Sequence, residues 1–274
     1  MRNMHANPAA PRQKKKSIFV NRKKSEPSLK ALILAAGLGT RLMPVTTDIP
    51  KALVSINGIT FLELAIRKIA GEGFSDIIVN VHHHAGLVME FLNQHHFPGV
   101  NISISDESSK LLDTGGAILK ARWFLDGKEP FLVHNVDVIS DLNLKALLSE
   151  HALRGGLATL SVTDRQTRRY FLFDDTLKLT GWTDSSSGEI RWAGDPLLKA
   201  HPLAFNGIHM INPEIFRLMD EEGRFSIIDT YLRIAGKSAI YGYLQPGQTW
   251  FDLGKPDQLE VVSRFLSNHP EYIT

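Results

Sequence analysis

Apolar and polar positions alternate along this chain in two different rhythms. From Lys30 onward, apolar runs of strand length take turns with stretches whose apolar residues recur every three or four positions. "KALILAA" reads as a buried strand, "TFLELAIRKIAGEG" as an amphipathic helix closed by glycine, and "SDIIVNV" as the next strand. The alternation continues through the helix "AGLVMEFLNQHH", the strand "NISISDE", the helix "GGAILKARWFL", the strand "PFLVHNVDV" and the helix "DLNLKALLSEHALRG". Strands separated by helices imply parallel pairing with right-handed crossovers and helices on both sheet faces. The expected class is therefore α/β, Rossmann-like, with a mixed, mostly parallel sheet flanked by helices.

After about residue 156 the rhythm shortens. "LATLSVTD", "RYFLFDD", "LKLTGWTD", "EIRWAG" and "AFNGIHMI" read as strands joined by Asp, Ser and Gly turns, with little room for helices between them. Two helices, "NPEIFRLMDEE" and "SIIDTYLRIAG", then lead to the strand "AIYGYL", the segment "QTWFDLG" and a closing helix "KPDQLEVVSRFLSN". The change in texture predicts one domain over 30–274 with two halves: a nucleotide-binding half (30–156) and a half completing a second site (157–274).

Charge changes the picture at the N-terminus. The net charge of +2 conceals nine Lys and Arg against one acidic residue in positions 1–30, which leaves 22 basic against 28 acidic residues over the rest. That tail has no apolar periodicity, and residues 1–29 are expected to be a disordered basic arm rather than a nucleic-acid or membrane module. With no cysteine, neither a disulfide framework nor a thiolate metal site can form. No apolar run approaches the roughly 20 residues that span a bilayer, so the expectation is a cytoplasmic protein, monomer or homo-oligomer, with no membrane and no nucleic-acid partner.

Candidate chemistry concentrates in the loop after the first strand, where open α/β sheets bind ligands. Gly37 and Gly39 in "GLGTRL" can bring backbone N–H groups close to an anion. Leu42 replaces the third glycine of a dinucleotide fingerprint, and no GK[ST] follows, so the loop is neither of those motifs. Arg41 in the turn and Lys51 at the end of a Pro-bounded loop supply the cations that transfer at an α-phosphorus needs. Asp137 ends an apolar strand and Asp252 sits in "TWFDLG", a pair suited to Mg²⁺, which takes few carboxylates and completes its shell with water and phosphate oxygens. His82, His83 and His84 follow a strand, but adjacent positions point to opposite faces, so they are read as polar lining at the sheet mouth rather than as a zinc set. Neither a Ser-His-Asp nor a Cys-His arrangement is visible, which argues against a covalent intermediate.

Taken together, "AAGLGTRLMPVTTDIPKAL" (35–53) matches the signature AAGxGTRxxPxTxxxPKxL, and Lys30 to about Phe265 resembles the sugar-1-phosphate nucleotidyltransferases. The resemblance is to members acting like N-acetylmuramate-1-phosphate uridylyltransferase or like mannose- or heptose-1-phosphate guanylyltransferase. "LLDTGGAILKA", "HNVDV", "FNGIHMINPEIF" and "WFDLG" support it. It implies the nucleotide-diphospho-sugar transferase fold, with an NTP (UTP or GTP) and a sugar 1-phosphate as substrates and Mg²⁺, or Mn²⁺, as cofactor. It also implies roles. Ala36, Gly37, Gly39 and Thr40 would cradle the nucleotide with Arg41 on its outer phosphates, and Lys51 would neutralise the α-phosphate. Asn135 would sit beside the metal pair Asp137 and Asp252. Gly115 and Gly116 would pass close to base and sugar, Glu107 would read the base edge, and Asn206 and Gly207 would face the hexose.

Three positions depart from the pattern. Val136 replaces a glycine, Lys255 replaces a threonine, and "TDRQTRRYFLFDD" lacks the family's sugar-phosphate lysine, for which Arg168 or Arg169 is the expected substitute. Competing readings are a relative with another acceptor, a glycosyltransferase and a non-catalytic regulatory module. The first is disfavoured by the sugar-side segments, the second by a single aspartate in "VDV", and the third by the joint presence of Arg41, Lys51, Asp137 and Asp252.

Overall fold

Strand β1 (Leu29–Leu34) carries side chains that alternate between two cores, Ala31 and Ile33 to one face and Leu32 to the other, as a strand covered on both sides requires. The structure is a computed structural model and describes residues 28–272; the basic arm lies almost entirely outside the described residues. Two single 3₁₀ turns, Thr40–Leu42 and Lys51–Leu53, shape the loop that follows β1. A hairpin of β2 (Ser55–Ile56) and β3 (Ile59–Thr60) turns at Asn57 and Gly58, both with positive φ. The Asn-Gly pair was a hairpin signal in the sequence, and no strand was expected there.

Helix α1 (Phe61–Gly71) starts at Thr60, whose hydroxyl accepts from Glu63 N, at the spacing of a capping box. Then come β4 (Phe74–Val81), α2 (Ala85–Gln94), β5 (Asn101–Asp106), α3 (Asp113–Lys120), α4 (Arg122–Leu125), β6 (Phe131–Asn135), β7 (Val138–Ser140) and α5 (Leu144–Arg154). The second half holds β8 (Ala158–Thr163), β9 (Arg169–Phe173), β10 (Leu179–Asp184), β11 (Glu189–Trp192) and β12 (His201–Ile211). It ends with α6 (Ile215–Leu218), α7 (Ile227–Ala235), β13 (Ile240–Tyr243), β14 (Trp250–Asp252) and α8 (Pro256–Asn268).

Strands β6, β1, β4 and β5 are parallel neighbours, so their carboxyl ends share one rim. On the other side of β6 the pairing turns antiparallel through β12, which also holds β8 and β9; β10 and β11 extend from β9, and β13 joins β8. The sheet is thus mixed, with its parallel part built from the first half of the chain. One core packs β1 and β4 against α1 and α8, and the other packs them against α3, α4 and α7.

Three further elements differ from the sequence expectation. "PFLVHNVDV" is two strands, because β1 ends at Leu34 and its carbonyl takes its last bond from Val136 N; beyond that point the chain turns and β7 pairs with β14 instead. "GGAILKARWFL" breaks at Ala121 into two helices, and "NPEIFRLMDEE" keeps a single helical turn.

Candidate active site

The loop after β1 is anchored before it reaches its glycines. Asn80, the lone polar residue buried near the end of β4, accepts the N–H groups of Ala35 and Ala36 at 2.6 and 3.3 Å. Gly37 follows with open space where a Cβ would lie. Gly39 has φ +67°, and a Cβ there would stand 2.9 Å from Thr46 Cγ2 and 3.1 Å from Lys51 Cβ. Glycine therefore lets the loop fold back on itself, a closure sealed by Thr46 Oγ1 donating to Gly39 O at 2.8 Å. Lys51 is thereby delivered beneath the turn.

Arg41 meets both aspartates and Lys51 meets one. The Lys51 ammonium donates to the Asp137 carboxylate. Arg41 places Nη1 3.2 Å from Asp252 Oδ2 and Nη2 4.0 Å from Asp137 Oδ2. Lys51 is only 11% exposed whereas Arg41 is 56% exposed, so one is fixed and the other free to swing onto a ligand. The β7–β14 ladder sets Asp252 opposite Val138, and Leu253 N donates to Asp137 O at 2.8 Å, which joins aspartates 115 positions apart. Burial pushes the Asp252 carboxyl up, but Gly254 N–H, Arg41 and Lys51 outweigh it and hold the group below its ordinary value.

Two cavities open at this point. One, about 310 Å³, is lined by Ala36, Gly37, Lys51, Asn80, Glu107, Leu111, Asp113, Thr114, Val136 and Arg224. The other, about 270 Å³, is lined by Arg41, Arg165, Thr167, Phe205, Asn206, Gly207, Trp250, Asp252 and Lys255. Asn135 and Asp137 line both. A roomier cavity of about 440 Å³ lies behind β7, between α1 and α8, and contains none of the expected site residues. Gly207, at φ +76° in a register slip of β12 against β8, leaves room for Asn135; a Cβ there would sit 2.6 Å from Asn135 Nδ2. Val136, the residue replacing glycine, is buried and lines the first cavity, which its side chain narrows.

Several expected residues have other partners. Gly115 and Gly116 line neither cavity: both N–H groups donate to Phe225 O, and Cβ atoms would meet the Phe225 ring and Gly223 O at 2.4 Å, so these glycines serve close chain packing. Glu107 lines the first cavity, yet it is wholly buried, with Oε1 accepting from Asn80 Nδ2 and Oε2 from Leu112 N; it acts as a post for the loop. Asn206 lines the second cavity, and its amide is bonded to Ser161 and Thr163. Gly39 and Thr40 line neither cavity. Arg168 and Arg169 both turn to Asp184, more than 60% exposed, and do not reach the site. His82 Nδ1 lies 2.7 Å from Glu107 O and His84 Nε2 3.2 Å from Thr47 O.

The residues missed are Asn80, Asp113, Thr114, Arg165, Thr167, Arg224 and Trp250. Asn80 had a signal, a polar residue inside the apolar run "DIIVNV". Asp113 carries a positive φ of 61° beside the first cavity, a conformation uncommon outside glycine. Arg165 and Trp250 had no local signal, because their stacking, 3.8 Å from guanidinium to ring centroid, joins strand ends 85 positions apart.

Two carboxylates at strand ends, with an Asn beside them and room for a phosphate on either side, fit a Mg²⁺ ion that keeps several non-protein ligands. Among the described residues, no group of three or more His, Asp or Glu gathers as an all-protein metal cage would need. No helix among the described residues is long and apolar enough to cross a membrane.

A parallel-sheet rim bearing a glycine-and-cation loop, joined at two aspartates to a cavity built by antiparallel strands, defines a nucleotidyltransferase of the nucleotide-diphospho-sugar transferase fold. The family model for nucleotidyl transferases matches residues 30–269. The N-acetylmuramate alpha-1-phosphate uridylyltransferase of Caulobacter vibrioides is 31% identical over 238 residues, covering 82% of this chain and 92% of that protein. Mannose-1-phosphate guanylyltransferase 1 of Arabidopsis thaliana is 29% identical over 232 residues, and there the match spans 62% of the longer relative. Among solved structures, HddC from Yersinia pseudotuberculosis complexed with GMP-PN aligns with a TM-score of 0.70 at 21% identity, covering 87% of this chain and 99% of that one; at this identity the likeness shows the fold. The chain belongs to the sugar-1-phosphate nucleotidyltransferase family.

Proposed function

We propose that this protein transfers a uridylyl group from UTP to an N-acetylmuramate- or hexose 1-phosphate, releasing pyrophosphate. The observation that carries the reading is the meeting of the two cavities at Asn135 and Asp137, with Lys51 and Arg41 at the junction. A nucleotide in the first cavity and an acceptor in the second would bring their phosphates together there. The backbone of the loop after β1, pinned by Asn80, and the ammonium of Lys51 would hold the α-phosphate, and Arg41 would move from Asp252 to the outer phosphates.

An oxygen of the acceptor phosphate then attacks the α-phosphorus in line. A new P–O bond forms, the bond to the β-phosphate oxygen breaks, and pyrophosphate departs with the electron pair. The attacking group needs no base, since a phosphate monoester with a second pKa near 6 is already largely ionised. Asp137 and Asp252 would hold Mg²⁺ or Mn²⁺, which when bound draws charge from the phosphate oxygens. The cytoplasm, where nucleoside triphosphates are abundant, is the setting this reaction needs.

The test is a pyrophosphate-release assay with five nucleotides (ATP, CTP, GTP, UTP, dTTP) against N-acetylmuramate, N-acetylglucosamine, glucose, mannose and heptose 1-phosphates, with product masses read in parallel. UTP with an N-acetylmuramate or hexose phosphate is the expected pair. GTP with mannose or heptose phosphate would move the protein to guanylyl transfer, and silence throughout would leave a binding module.

A further inference from the structure

The second cavity holds a cation with no ion-pair partner among the described residues. Arg41 and Lys51 face Asp137 and Asp252, and Arg168 and Arg169 face Asp184, but among the described residues Arg165 has no carboxylate within 4.0 Å. Its guanidinium is held on two sides: the face lies over the Trp250 ring at 3.8 Å, and Nη2 donates to Phe205 O at 3.0 Å. Trp250 is itself fixed by Nε1 donating to Asn206 O at 2.9 Å. The Nε–H of Arg165 is buried and has no acceptor. A buried donor on a cation that stays unpaired is costly, and an oriented guanidinium with a free edge is the group that binds an oxyanion through paired N–H···O bonds.

Which anion it meets follows from its neighbours. Arg165 feels the charge of Asp252 and lines the same cavity, so the anion lies at the metal-facing end, not at the far end of the sugar. Resting on the nucleotidyl-transfer reading above, we infer that Arg165 binds the phosphate of the incoming sugar 1-phosphate and presents its attacking oxygen. Arg168 and Arg169, the sequence candidates for that task, are committed to Asp184.

The experiment is steady-state kinetics of full-length Arg165→Gln and Arg165→Lys with the sugar 1-phosphate that the wild type turns over. Losing a charge-assisted pair should raise the KM for the sugar phosphate about 10- to 100-fold, with the KM for the nucleotide changed by less than about twofold and Arg165→Lys recovering part of the loss. The free, unphosphorylated sugar, used as a competitive inhibitor, should bind both variants as it binds the wild type. Equal weakening of free and phosphorylated sugar would mean that Arg165 only shapes the wall through Trp250, and would overturn the inference. So would a loss confined to sugars bearing a carboxylate, with neutral hexose phosphates unaffected. Wild-type silence with every acceptor would be the failure of the transfer reading. Calorimetric binding of glucose 1-phosphate would then decide Arg165 alone: weaker binding by Arg165→Gln upholds it, and equal binding refutes it.

Discussion

The two cavities are made in opposite ways. The first takes Ala36, Gly37 and Lys51 from one loop hung from a parallel strand, a loop of 17 positions from Ala35 to Lys51 pinned by Asn80, and sets it against Glu107, Thr114 and Arg224. The second has no such loop of its own: Arg165 after β8, Phe205 to Gly207 in a slipped register of β12, Trp250 and Asp252 on β14 and Lys255 at the start of α8 come together, with Arg41 reaching in from the loop after β1. A contiguous loop tolerates little change without losing its shape. An assembled wall can exchange one contributor for another, which is how an arginine outside the sequence candidates takes the position facing Asp252.

The sharpest way to break that comparison is at the seam, where each half supplies one aspartate. Asp137→Ala and Asp252→Ala should each lower kcat by about three orders of magnitude, and the double variant should be scarcely worse, because groups acting as a unit are not additive. Circular dichroism should show the fold intact. A tenfold gap between the single variants would mean that one half does most to organise the metal, and a multiplicative double that the two aspartates act independently. Chelation with EDTA should silence the wild type, with Mg²⁺ restoring it.

The same difference explains what is legible in the sequence. The parallel half was legible because strands β1, β4 and β5 and helix α1 carry their own periodicity, caps and glycines, and because Arg41 and Lys51 fall inside one motif. The acceptor half was legible as strands but not as a site. Pairing partners, the register slip at Gly207 and the stacking of Arg165 on Trp250 are long-range facts that no local pattern encodes. The partners of the expected residues are long-range as well. Gly115, Gly116 and Asn206 stand in the expected segments, yet their groups are spent on Phe225, Gly223, Ser161 and Thr163, contacts that only the folded chain reveals.

A smaller effect concerns the pairing of the halves rather than the chemistry. His134 on β6 and His209 on β12 are buried on the two strands that join them, and burial lowers their pKa to about 4 and about 3 respectively. Both stay neutral in the folded protein, while unfolded histidine takes up a proton near pH 6.5. The stability they contribute is therefore complete above pH 6.5 and is lost as pH falls from 6.5 towards 4, by about 3 kcal/mol for His134 alone when the unfolded state is fully protonated. Thermal unfolding in steps from pH 7.5 to 4.5 should show Tm declining across that window. A flat profile between pH 7 and 5 would contradict neutral histidines at the junction.

Two glycines sharpen the contrast most finely: Gly39 folds the loop that delivers Lys51 to the first cavity, and Gly207 lines the second. Gly39 and Gly207 both have φ near +70°, where an alanine costs roughly 1–2 kcal/mol from backbone strain alone. Both would also press a new methyl group into a neighbour, Thr46 and Lys51 for Gly39 and the Asn135 amide for Gly207. Gly39→Ala should displace Lys51 and raise the KM for the nucleotide, while leaving the KM for the sugar phosphate nearly unchanged. Gly207→Ala should disturb Asn135 from the acceptor side and act mainly on the sugar phosphate. In a domain of this size each should lower Tm by about 2–8 °C. If either substitution raised both KM values alike, the two cavities would be one mechanical unit; a clean split would mean that the loop and the assembled wall are set independently and meet only at the aspartates.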